Sequence, residues 1–132
     1  MFSKIADDIY PLFDSTEWVS KGVLTYPGGF SDKISRDEYV MVHVLPSNTG
    51  LASYGANPYT SGLIILPIFT PNGRGNKRLF QISDFLGGLL NAKQFKNGTQ
   101  TTIGALQSIG PDTVNKALLR GDFTIPFKFF GD

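Results

Sequence analysis

The sequence predicts an α+β fold: one twisted, mostly antiparallel sheet, with an N-terminal helix and a longer central helix packed on one face, in the order α-(β)-β-β-α-β-β. Three observations predict it. Segments 38–45, 61–70 and 121–130 alternate at a period of two and are rich in β-branched and aromatic residues. Segment 76–95 instead carries apolar residues at steps of three and four. Strands stand on both sides of that helix, and most neighbours read as antiparallel, which suits helices laid on one sheet face.

Taken in order, residues 2–13 place Phe2, Ile5, Ile9, Leu12 and Phe13 on one helical stripe, with Ser3 as a cap and Pro11 closing the helix early. Trp18-Val19 and Val23 to Tyr26 read as a short strand ended by Pro27-Gly28-Gly29. In "EYVMVHVL" (38–45), Tyr39, Met41, His43 and Leu45 share one face and Val40, Val42 and Val44 the other. Segment 61–70 likewise sets Leu63, Ile65 and Phe69 opposite Ile64, Leu66 and Ile68. Pro67 lacks an N–H for the ladder and so belongs at a sheet edge or a bulge. Between these strands, "PSNTGLASYGANPYT" (46–60) reads as a long, Gly-rich connection, and structureless connections of ~15 residues are often functional.

The helix at 76–95 has a stripe of Leu79, Ile82, Phe85, Leu86, Leu89 and Leu90. Its Gly87-Gly88 pair costs about 1 kcal/mol per glycine, so it marks a close helix–sheet contact or a helix end. Segment 99–109 alternates again, 112–119 reads as an irregular connection, and the last strand turns Phe123, Ile125, Phe127 and Phe129 to one side.

Composition narrows the function. The 132 residues suit a single domain, 1–132, with 41% hydrophobic residues, 13% aromatics and only 17% charged residues, against a typical ~25%. So little charge fits a surface partly covered by partners and, equally, a small domain rich in Thr, Ser and Asn. Net charge is +1, which gives no general attraction to nucleic acid or membrane. The absence of cysteine excludes disulfides and thiolate chemistry. Asp7 and Asp8 inside the first apolar stripe argue against a signal peptide, and the apolar run 63–69 is far below the ~20 residues of a membrane span.

Catalytic motifs are missing. His43 is the single histidine and sits mid-strand, where it reads as a core or interface residue rather than a general base. The carboxylates show no metal-ligand spacing, so no metal or cofactor is expected. The turn "NGRGNKR" (72–78) invites a test as a phosphate loop and fails it. Lys77 follows no glycine, no hydroxyl follows it, and Arg78 stands where a dinucleotide fingerprint needs its third glycine. Arg74, Lys77 and Arg78 remain as a basic turn at a helix start; such a cluster is more often simple solvated surface, and it leaves room for a carboxylate-bearing partner or a nucleic-acid backbone.

Three stretches carry a resemblance: "EYVMVHVLPSNTG" (38–50), "YTSGLIILPIFTPNGRG" (59–75) and the closing "DFTIPFKFFGD" (122–132). With the element order, they resemble the tail terminator (tail completion) proteins of long-tailed bacteriophages. The resemblance implies a non-enzymatic virion protein, assembled in the host cytoplasm and placed at the head–tail junction. It implies a ring, typically a homohexamer, that ends polymerisation of the tail-tube protein and meets the head-completion or connector protein. DNA would pass through such a ring unread.

Strands apolar on both faces suit a sheet with helices on one side and a subunit contact on the other. Pro46, Ser47, Asn48, Leu51, Tyr54, Asn57 and Tyr59 of the long connection are the expected subunit or tube contacts. The basic turn is expected outside the channel, at a partner surface. Other readings are a related head–tail joining or tail-tube protein and, from a different class, a small single-strand nucleic-acid or ligand-binding α+β module.

Overall fold

A computed structural model describes residues 2–27, 38–51, 58–71, 76–111 and 118–130. The first helix, α1 (Phe2–Ile9), passes into a 3-10 turn (Tyr10–Asp14) with Pro11 near its start, as proline's fixed φ favours. Ser3 lies inside α1 rather than capping it. A short helix, α2 (Thr16–Val19), follows, and its cap Ser15 accepts the Trp18 N–H at 3.3 Å. This corrects the expectation that Trp18-Val19 forms a strand. The buried Trp18 meets Phe13 edge-on at 5.3 Å and donates its indole N–H to Thr25 Oγ1 at 2.7 Å. One apolar ring thus ties α2 to both neighbours.

Among the described residues the sheet has six strands: β1 (Leu24–Pro27), β2 (Tyr39–Leu51), β3 (Pro58–Pro71), β4 (Thr99–Thr101), β5 (Ala105–Pro111) and β6 (Leu118–Phe129). The order is β1-β2-β3-β6-β4, with β5 pairing a second stretch of β6. The β1–β2 pair is parallel, and the others are antiparallel. Pro67 therefore sits in the central strand, not at an edge. The β2–β3 ladder steps from Val40↔Ile68 to His43↔Ile65, so it skips the proline, while β6 still matches Pro67 with Asp122. A missing donor is tolerated where the ladder has a gap.

Alternation sorts the two faces. Val40, Val42, Ile64, Leu66, Ile68, Phe123, Ile125, Phe127 and Phe129 are buried beneath Ile5 and Ile9 of α1 and the apolar stripe of α3 (Lys77–Leu90). Each large apolar side chain buried this way contributes about 1.5–3 kcal/mol. β3 and β6 meet without a side chain at two points on this face. A Cβ on Gly62 would stand 2.9 Å from the Phe127 ring and collide with the Leu45 carbonyl, and one on Gly121 would stand 2.9 Å from Leu79.

α3 ends at Leu90, short of the expected residue 95. Asn91 leaves the helix with ψ 133, and Ala92 turns to φ 54. The segment from 92 then folds back beside β4, with the Ala92 N–H donating to Thr102 O at 2.8 Å and the Phe95 N–H to Thr99 O at 2.8 Å. Gly88 meets nothing within 4 Å and Gly87 only Asn91, so the glycine pair marks the helix end, not a close sheet contact. Segment 99–109 is two strands rather than one.

A buried carboxylate joins the chain's beginning to this corner. Asp8 accepts the backbone N–H groups of Asn97 at 2.9 Å and Thr99 at 3.2 Å. Charge-assisted bonds to two otherwise orphaned donors are strong local ties. Asp8→Ala should therefore cost about 2–4 kcal/mol in urea unfolding, and Asp8→Asn nearly as much, because its amide cannot accept both N–H groups equally. Gly62→Ala should cost about 1–3 kcal/mol through overpacking, seen as a lower urea midpoint with an unchanged slope.

Candidate functional site

The sheet face away from the helices is only partly covered. At one end it is closed by its own cluster: Tyr39 stacks on Phe69 at 4.4 Å, Tyr26 meets Tyr39 edge-on at 5.7 Å, and Arg120 lies 5.5 Å over the Phe69 ring. Arg120 also pairs with Asp122 at 3.1 Å, so its charge is balanced within the face. Toward the other end the cover stops. Leu45, Leu63 and Pro126 stand in register across β2, β3 and β6, with Leu45 48% and Leu63 41% exposed. Thr102 donates its N–H to Pro126 O at 3.2 Å, and the next residue, Ile103, is 74% exposed. Three strands thus present an apolar band to solvent, with half-buried His43 and Ile65 in the next row.

The expected loop 46–60 is largely a paired arm. β2 and β3 continue from Asn48↔Ser61 to Leu51↔Pro58, after a bulge between Pro46 and Asn48. β6 ends opposite Thr60, so the last pairs, Gly50↔Tyr59 and Leu51↔Pro58, form a two-stranded ribbon beyond the sheet. The long connection looked unstructured because Pro, Gly and Asn are poor strand formers singly, and cross-strand pairing overrides that preference. Pro46, Ser47, Asn48 and Leu51 lie on β2 and Tyr59 on β3. Tyr54 and Asn57 lie outside the described residues, as does Arg74.

The structure divides the basic turn. Lys77 opens α3 and is exposed. Arg78 is half-buried and donates from Nε and Nη2 to the two oxygens of Glu38 at 3.0 and 2.7 Å. That hydrogen bond raises the Arg78 pKa above its ordinary value, with burial opposing it and the charge of Glu38 adding to it. Phe85 lies between Arg78 at 5.9 Å and Lys21 at 4.8 Å, so one ring connects the two cations. Arg78 is therefore a joint between α3 and the start of β2. The Asn76 side chain makes no capping bond at the helix start.

A cleft of about 500 Å³ opens between the N-terminal helical segment and β1, lined by Tyr10, Phe13, Asp14, Trp18, Val19 and Val23 among others. Phe13 and Trp18 are buried against each other, so little of either ring reaches the cleft. Among the described residues, no group of three or more His, Asp or Glu is placed to hold a metal ion. No helix of the described residues is long and apolar enough to cross a membrane.

These features define a class by architecture: an α+β sheet, helices on one face, with an apolar band on the other and a projecting hairpin arm. No protein-family model matches the sequence, and no curated protein matches it. Solved structures share the fold. A chain in the virion of a native gene transfer agent (GTA) particle superposes with a TM-score of 0.65 at 12% identity, covering 95% of this chain and 93% of its own. A second solved chain, which carries no descriptive name, gives 0.62 at 13% identity over 89% and 84%. At such identity the likeness is one of fold.

Glu38→Gln should lower stability by no more than about 1 kcal/mol, because both partners keep access to water, and high salt should shrink the difference. Denaturant midpoints at low and high salt check this.

Proposed function

We propose that the protein is a virion structural protein of a phage-like particle and, within that class, a ring-forming tail terminator without enzymatic activity. The observation that carries this reading is the fold shared with a gene transfer agent virion chain over almost the whole of both lengths. The motifs at 38–50 and 59–75 add the finer assignment by resemblance. In this reading the ring, most simply a hexamer, caps the tail tube, stops its growth and offers its far side to the head connector, while DNA passes through unread.

The surfaces fit such a role. A bare apolar band beside an arm is what a subunit covered by neighbours carries, and it is costly to leave in water. Lys77 supplies positive charge at the start of α3 for an acidic partner surface. Arg78 is committed to Glu38 and belongs to the fold.

Native mass measurement of the purified protein, alone and with tail tubes, tests the reading. The expected species is a closed ring, free or formed on the tube end; a monomer that never binds tubes would overturn it. Leu45→Ser with Leu63→Ser should leave the fold intact, since both side chains are already about half exposed. It should weaken assembly roughly tenfold or more through lost apolar contact. Arg74→Ala with Lys77→Ala should spare folding and weaken only the salt-sensitive part of tube binding.

A further inference from the structure

We propose that neighbouring copies of this chain join edge to edge, the outer edge of β2 over residues 43–51 in one copy pairing with β5 of the next. This rests on the self-assembling reading above and says which backbone makes the contact. β1 covers only residues 39–42 of β2, from Leu24↔Tyr39 to Pro27↔Val42. Among the described residues nothing pairs with the outer side of β2 beyond Val42. At the opposite end of the sheet, β5 pairs with β6 on one side, and among the described residues nothing pairs with its other side. β4, by contrast, is closed, since the Thr101 N–H donates to Lys93 O at 2.9 Å and Gln94 bridges Gln100.

Open strand edges expose rows of donors and acceptors that only another extended backbone satisfies well. Soluble proteins commonly guard them with charge, lysine above all. Here neither edge has any. "HVLPSNTGL" (43–51) and "ALQSIGP" (105–111) contain no Lys, Arg, Asp or Glu, in a chain holding 12 basic and 11 acidic residues. Charge is thus absent from both surfaces that such a contact would bring together, so neither strand would desolvate an ion on pairing.

The two edges lie at opposite ends of the sheet, so their union is head-to-tail and adds copies in one direction, as a ring requires. Pro46 and the bulge beside it on β2, and Ser108 at φ 57 on β5, break each edge into shorter stretches. That limits pairing to a few bonds and disfavours indefinite stacking.

Hydrogen exchange on the protein as monomer and as assembled species reads the contact directly. Amides within 43–51 and 105–111 should gain at least tenfold protection on assembly. In parallel, Asn48→Lys and Gln107→Lys should each weaken self-association at least tenfold with unchanged thermal melting. The double variant Asn48→Lys with Gln107→Glu should recover it, because opposite charges then meet between copies.

Assembly without new protection at either edge would overturn the edge contact and leave the ring reading standing. Assembly through the edges with no capping of tubes would overturn the terminator role and leave the contact standing. A chain that is monomeric at every concentration and on tubes would overturn both. Should a lysine variant fail to fold, the exchange comparison on the unaltered protein still decides.

Discussion

The rest of the structure depends on the central strand β3, which is apolar on both faces and hydrogen-bonded on both sides. Ile64, Leu66 and Ile68 require a cover, and the helices supply it on that face, with the aromatic row of β6 filling the same layer. Close approach follows from the same need: Gly62 lies against the Phe127 ring, and Gly121 admits Leu79. Asp8 then holds α1 to the corner at 97–99, so the N-terminal helix is held by two charge-assisted bonds as well as apolar contact. Layer, corner and strand support one another, which is how a small domain reaches a stable state.

The second face of β3 has no such cover along its whole length. Tyr39, Phe69 and Leu118 close one end, while Leu45 and Leu63 remain in water at the other. The arm beyond Thr60 and the strand stretches 43–51 and 105–111, which carry no charged residue, border this open end, with the exposed Lys128 beside it in register with Ser61. The absence of Lys, Arg, Asp and Glu from these two stretches is in keeping with the low charge of the whole composition. At the closed end, Arg120 is paired with Asp122.

Much of the fold was legible because strand and helix periods are written by burial. The alternation in 38–45 and 61–70 follows the two faces, and Phe123 to Phe129 mark the helix-covered side. What was not legible depended on partners distant in sequence. Pro67 could be placed in a central strand only once the ladder gap opposite it was seen. The arm at 46–51 and 58–60 is made by cross-strand pairing that no local propensity reports. Trp18 joined a helix because Ser15 caps it, a signal present in the sequence but outweighed by neighbouring β-formers. Asp8 carried no motif at all; its role exists only through Asn97 and Thr99. Of the basic turn, Arg78 changed meaning on meeting Glu38, forty residues upstream.

The central claim is that this chain ends a growing tube. The most direct test is the length distribution of tail tubes polymerised with and without the purified protein, read by electron microscopy. Stoichiometric addition during growth is predicted to halt elongation and leave one distinct cap of density at a single end of each tube. Tubes that lengthen at the same rate and show no cap would contradict the account.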